Sequence, residues 1–94
     1  MDLAALRTEI DFLDKEIITL FEKRMDVSAK IAQYKKENGK AVFDPVREKE
    51  KLESVAALSR DDLKECTTSL FKKLFELSRH YQNKLLENNT EVVE

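Results

Sequence analysis

This 94-residue chain has one glycine, one proline and no tryptophan. An average chain of this length carries roughly ten or eleven glycines and prolines together. Antiparallel sandwiches and barrels turn every ~8–12 residues, and tight turns are built from Gly, Pro, Asn and Asp. Here Gly39 and Pro45 fall in a single stretch, so an all-β fold is excluded. The lone cysteine, Cys66, excludes a disulfide framework and a paired-cysteine zinc site. No run approaches the ~18 apolar residues of a membrane span. The opening Met1-Asp2-Leu3 lacks the basic-then-apolar order of a secretory leader, and a cytoplasmic location is expected. A dominant charge sign is missing too: 17 basic against 19 acidic residues leave a net −2, which argues against a dedicated nucleic-acid binder.

Charged residues are 38% of the chain, against ~25% in an average domain. Leu, Ile, Val and Phe number 27 of 94, above the ~20% below which disorder is the rule. These counts predict one small all-α domain. Its core is marginal for a lone chain of this size, so association of copies is expected.

Leu3, Ile10, Ile17, Arg24 and Ile31 recur every seven residues, as do Leu6, Leu13, Leu20, Val27 and Tyr34. Such a seam marks a long helix in a supercoiled pairing, running from about Leu3 to Asn38. Lys35 and Lys36 suit its C-terminal dipole, and Gly39 reads as its cap. Asp44-Pro45 reads as an N-cap with proline in the first turn. It opens a second helix that carries Val46, Leu52, Val55 and Ala56 inward and stops near Leu58. Ser59-Arg60-Asp61-Asp62 resembles a capping box. A third helix is expected from about Arg60 to Glu87, with an apolar stripe of Leu63, Cys66, Leu70, Leu74, Leu77, Tyr81 and Leu85. The domain is placed over residues 1–87. Residues 88–94 carry no stripe and read as a frayed end or linker.

Polar residues that break the apolar stripes carry the functional signal. Arg24 occupies a core position of the seam, where an unpaired guanidinium is costly. It reads equally as a register-setting residue or as part of an anion site. Lys35 lies eleven residues on, three turns plus about 20°, so both cations share a face, though alone it reads as a solvated lysine at a helix end. Arg47 sits in a first turn, where the dipole disfavours a cation, with Glu48 beside it; both belong to a charge run that ordinarily means a solvated surface. Ser78 and Gln82 are four apart on one face, and by themselves read as a solvated flank. Arg7 lies seventeen residues before Arg24, about 25 Å along a helix. It can share a small ligand with Arg24 and Lys35 only from a second, antiparallel chain crossing near Ile17–Phe21. His80, the single histidine, has no partners for a metal site. No Ser–His–Asp or Cys–His arrangement and no Gly-rich phosphate loop is legible.

These residues in this order, Leu6-Arg7, Ile10-Asp11, Leu13-Asp14, Ile17-Ile18, Arg24, Ile31-Ala32, Lys35, Val42-Phe43-Asp44-Pro45-Val46-Arg47-Glu48 and Ser78-Arg79-His80-Tyr81-Gln82, resemble the all-helical class of chorismate mutase. The resemblance runs from about Leu3 to Leu86. It implies an intertwined homodimer of three-helix chains with two active sites, each completed by Arg7 of the partner. It implies that Arg7 and Arg24 hold the carboxylates of chorismate, and that Lys35 contacts a carboxylate and the ether oxygen to which Gln82 also donates. Arg47 and Glu48 then serve the ring hydroxyl, Asp44 and Ser78 line the ring-carboxylate end, and Val27, Ile31 and Leu74 form apolar walls. The rearrangement to prephenate needs no cofactor and no metal, and none is expected. Two other readings remain open: an isochorismate-pyruvate lyase on the same scaffold, and a non-catalytic helical dimerisation module. The chain could also be one domain of a longer bifunctional protein.

Overall fold

Asp2 starts the first helix, its side chain accepting from the Ala4 N–H at 3.1 Å. Nothing then interrupts α1, which runs Leu3–Glu37 in the computed structural model; the residues described are 1–92, with side-chain surroundings for 1–87. Gly39 stops it. With φ at +65°, Gly39 lets its own N–H reach the Lys36 carbonyl (3.3 Å) and the Lys40 N–H reach the Lys35 carbonyl (2.7 Å). This is the paired 5→2 and 6→1 closure of a Schellman motif. The expected Asp44 cap also forms: its carboxylate accepts from the Arg47 N–H at 3.0 Å, and α2 spans Pro45–Leu58.

The start of the third helix differs from expectation. Asp61–Leu63 form a 3-10 turn, and α3 runs Lys64–Val92. The capping box does not form. Arg60 occupies the cap position without a side-chain capping bond, its Nε donating to Asp62 Oδ1 at 2.7 Å, and the Ser59 hydroxyl meets Thr67 Oγ1 at 2.7 Å and the Arg60 carbonyl at 3.3 Å. At the other end α3 passes Glu87 and continues to Val92, since no Pro or Gly in 88–92 breaks the ladder. The last part of the expected tail, residues 93–94, lies outside the described residues.

The chain is all-helical among the described residues. α3 packs against both α1 and α2, which do not pack on one another. The extents are 59 × 28 × 14 Å and the radius of gyration is 17.0 Å, against roughly 12 Å for a globule of this length. No helix is long and apolar enough to cross a membrane among the described residues. Among the described residues only Ala32, Val55 and Phe75 form a buried apolar core, and as many polar residues (Ser28, Ser78 and Gln82) are buried with them.

Helix geometry explains which expected core residues miss this core. At 100° per residue, Val46 lies opposite Val55 on α2 and is exposed, while Leu52 and Ala56 share the inward face with Val55. Cys66 lies opposite Phe75 on α3 and is exposed rather than buried. The stripe from Leu63 to Leu85 sits about 100° from the line Phe71–Phe75–Ser78–Gln82 that actually faces α1 and α2. Of that stripe, Leu63 and Leu70 are exposed and Leu74, Leu77, Tyr81 and Leu85 only half-buried. On α1 the chain's own contacts lie on Phe21, Met25, Ser28 and Ala32. Around these residues the heptad seam is turned away by about a quarter-turn. Leu13, Ile17 and Leu20 remain 47–65% exposed.

Gly39 gives a direct stability test. A Cβ there would meet no atom within 4 Å, so the cost of Gly39→Ala is purely that of left-handed backbone, about 1–2 kcal/mol. Chemical denaturation should show that loss, with Gly39→Asn losing less.

Candidate active site

Three short stretches of helix build one cavity of about 190 Å³. α1 contributes Arg24, Ser28, Ile31 and Lys35, spaced four, three and four apart on one face. The N-terminal end of α2 contributes Asp44, Arg47, Glu48 and Lys51, and α3 contributes Phe75, Ser78, Arg79 and Gln82. Val42 of the connector between α1 and α2 closes the wall.

Arg24 is held from three sides. Its Nη1 donates to Ser78 Oγ at 3.0 Å, and its guanidinium carbon lies 5.7 Å from the Phe75 ring centroid and 6.0 Å from that of Phe71. Ser78 is a node: Ser28 Oγ donates to it at 3.4 Å, and it contacts Met25 Sδ at 3.6 Å. Burial strips water from Arg24 and lowers its pKa from the ordinary value. Arginine nevertheless stays cationic in a protein, so an anion in the cavity would relieve a poorly solvated charge.

The other donors rest on backbone carbonyls. Lys35 Nζ donates to the Val42 carbonyl at 2.9 Å, and Gln82 Nε2 donates to the Ser28 carbonyl at 2.8 Å. Both contacts join parts of the chain that the cavity separates. Gln82 is 6% exposed and Ser78 7%, which overturns the solvated-flank reading of this face. Asp44 spends one carboxylate oxygen on capping α2. Glu48 pairs with Arg79, whose Nη1 donates to both carboxylate oxygens. Arg24, Lys35, Arg47 and Lys51 make no ion pair among the described residues. Nor is any group of three or more His, Cys, Asp or Glu placed to hold a metal among them.

Of the eight candidates from the sequence, the fold brings seven together: Arg24, Lys35, Asp44, Arg47, Glu48, Ser78 and Gln82. Arg7 stands apart on the N-terminal half of α1, where every residue through Leu20 is exposed. Of the apolar residues, Ile31 and Phe75 line the cavity, whereas Val27 and Leu74 do not. Sequence reasoning missed Ser28, Val42, Lys51 and Arg79. Ser28 carried a usable signal, lying one turn from Arg24 on the face that Arg24 shares with Lys35. Arg79 and Lys51 carried none, since both lie among many surface charges.

A family model for chorismate mutase type II matches residues 6–83. A bifunctional chorismate mutase/prephenate dehydratase of Buchnera aphidicola subsp. Acyrthosiphon pisum is 40% identical over 87 residues, 90% of this chain and 23% of that protein. Its counterpart in Buchnera aphidicola subsp. Schizaphis graminum is 36% identical over the same shares. A T-protein of Haemophilus influenzae is 41% identical over 46 residues, 49% of this chain and 12% of that protein. No solved structure matches significantly. The chain thus spans about a quarter of the length of the two bifunctional relatives. The match across nearly all of α1, the whole of α2 and most of α3 places this chain in the chorismate mutase type II family.

Proposed function

We propose that the chain is a chorismate mutase of aromatic amino-acid biosynthesis, converting chorismate to prephenate in the cytoplasm as an intertwined homodimer. The observation that carries this reading is the set of cations Arg24, Lys35 and Arg47 around one cavity, none of them in an ion pair among the described residues, with Gln82 buried beside them. Such a cavity suits a small dicarboxylate.

The rearrangement is intramolecular. The ether C–O bond breaks as a new C–C bond forms within one molecule, so no nucleophile or proton carrier is required. What is required is a folded conformer held with its ends together, and donors at the ether oxygen, which gains negative charge in the transition state. Arg24 and the partner's Arg7 hold the carboxylates. Lys35 and Gln82 donate to the ether oxygen, leaving the Val42 and Ser28 carbonyls to do so. Arg47 and Glu48 receive the ring hydroxyl, and Asp44 and Ser78 line the opposite end. A ~10⁶-fold acceleration corresponds to about 8 kcal/mol. Two such donors at ~3–4 kcal/mol each supply most of it.

The dimer follows from two features. Arg7 lies about 25 Å from Arg24 along α1, too far to serve its own chain's site. The apolar residues of the α1 heptad seam are all exposed, from Leu3 to Tyr34, and an uncovered apolar face of this length marks an association surface. Antiparallel pairing about a crossing near Ile17–Phe21 covers it and brings Arg7 over the partner's cavity.

Loss of chorismate absorbance, with prephenate identified as product, tests the activity. Lys35→Ala and Gln82→Ala should each lower kcat/KM by about 10²–10³-fold. No turnover by folded protein, pyruvate release from isochorismate instead, or full activity in Lys35→Ala would overturn the reading. Because Gln82 is uncharged at ordinary pH, activity should persist around neutrality; a profile that collapses above pH 6 contradicts the assignment. The shared site has its own test. Arg7→Ala and Lys35→Ala chains, each nearly inactive alone, should regain about a quarter of wild-type activity when mixed and reassociated, since half the dimers then hold one intact site. No recovery, with mixed dimers verified by mass, would contradict the proposed exchange.

A further inference from the structure

We propose that Arg79 is a positioning residue for Glu48, holding that carboxylate in place and cancelling its charge so that a dianionic substrate can enter. The proposal rests on the function proposed above, in which Glu48 accepts from the substrate hydroxyl. Arg79 Nη1 donates to both oxygens of Glu48, linking α3 to α2. Its guanidinium carbon also lies 4.9 Å from the Phe43 ring centroid in the connector. Both side chains are mostly covered, Arg79 31% exposed and Glu48 25%.

The arrangement answers an electrostatic problem. Glu48 lies on the inward face of α2, 20° from Val55, and its charge opposes any carboxylate brought into the cavity. The other charged groups lining the cavity are Arg24 and Lys35 from α1, Asp44, Arg47 and Lys51 from Glu48's own helix and cap, and Arg79 from α3. Of the cations, Arg79 is the one that makes an ion pair with it. Pairing by Arg79 spares Lys35 and Arg47 for the substrate. The same guanidinium stabilises the connector, whose other tether from the site is the Lys35 bond to the Val42 carbonyl. When the substrate draws Lys35 from Val42, the Arg79–Phe43 stack remains to keep that wall in place.

Steady-state kinetics on the intact dimer test this with Arg79→Met, Arg79→Lys, Glu48→Gln and the double variant Arg79→Met/Glu48→Gln, with Lys35→Ala beside them. Arg79→Met leaves a carboxylate facing the substrate and should raise KM about tenfold. Adding Glu48→Gln removes that carboxylate, so KM in the double variant should return to within about twofold of Glu48→Gln alone. Arg79→Lys keeps the charge pair and should stay near wild-type KM. A merely structural role for Arg79 would not be suppressed by Glu48→Gln. If Arg79→Met does not fold, Arg79→Gln takes its place with the same expected suppression. An unchanged KM in the Arg79 variant, or losses that multiply in the double variant, would overturn the proposal while the Lys35→Ala loss leaves the mutase reading standing. A folded wild-type dimer that does not convert chorismate overturns both.

Discussion

An arginine on a mostly apolar helix face has to be held by something, and the manner of holding Arg24 organises this molecule. Its guanidinium is half-covered and lies against the rings of both Phe71 and Phe75, and it donates to Ser78 rather than to a carboxylate. A neutral acceptor and two ring faces support the cation without cancelling its charge. Ser78 must therefore be buried, and Ser28 and Gln82 are buried with it in a hydrogen-bonded group that joins α1 to α3. Half of the most buried residues are thereby polar, which limits what the apolar core of one chain can contribute. The site and the small core are two consequences of one choice.

That choice bears on the rest of α1. A helix of 35 residues exceeds what a three-helix packing of this size can cover, and its first half touches nothing in its own chain. The apolar residues left bare there are the regular heptad ones, with Phe12 and Ile18 beside them. In the proposed homodimer this half supplies both the buried surface that one chain lacks and the reach of about 25 Å that carries Arg7 to a second cavity. Stability and catalysis then share one interface, and neither is complete in a single chain.

Much of this was legible in the sequence because local rules act over a few residues. Asp44-Pro45 and Gly39 mark helix ends through the hydrogen bonds and dihedral angles they permit, and both act so here. The eleven-residue spacing of Arg24 and Lys35 placed them on one face, and the fold keeps them there. What was not legible depends on contacts distant in sequence. The Arg79–Glu48 pair spans 31 residues and looks, residue by residue, like ordinary surface charge. The burial of Ser78 and Gln82 depends on which of two apolar lines of α3 turns toward α1. The sequence pattern favoured the leucine line, whereas the phenylalanine line faces inward. On α1 the heptad seam was clear, but the chain's own contacts fall beside it, since the face that meets α3 differs from the one the proposed partner would cover. Cys66 and Val46 were misplaced for the same reason, each half a turn from the inward face of its helix.

The central claim is that the open cations and the buried amide form a site built for the transition state of a dianionic ether. Calorimetric titration with a rigid bicyclic ether dicarboxylate, shaped like that transition state, tests it most directly. The account predicts one molecule bound per chain, at least 10²-fold more tightly than prephenate, with the advantage lost in Gln82→Ala. Binding no tighter than that of prephenate, or an advantage that survives the loss of Gln82, would contradict it.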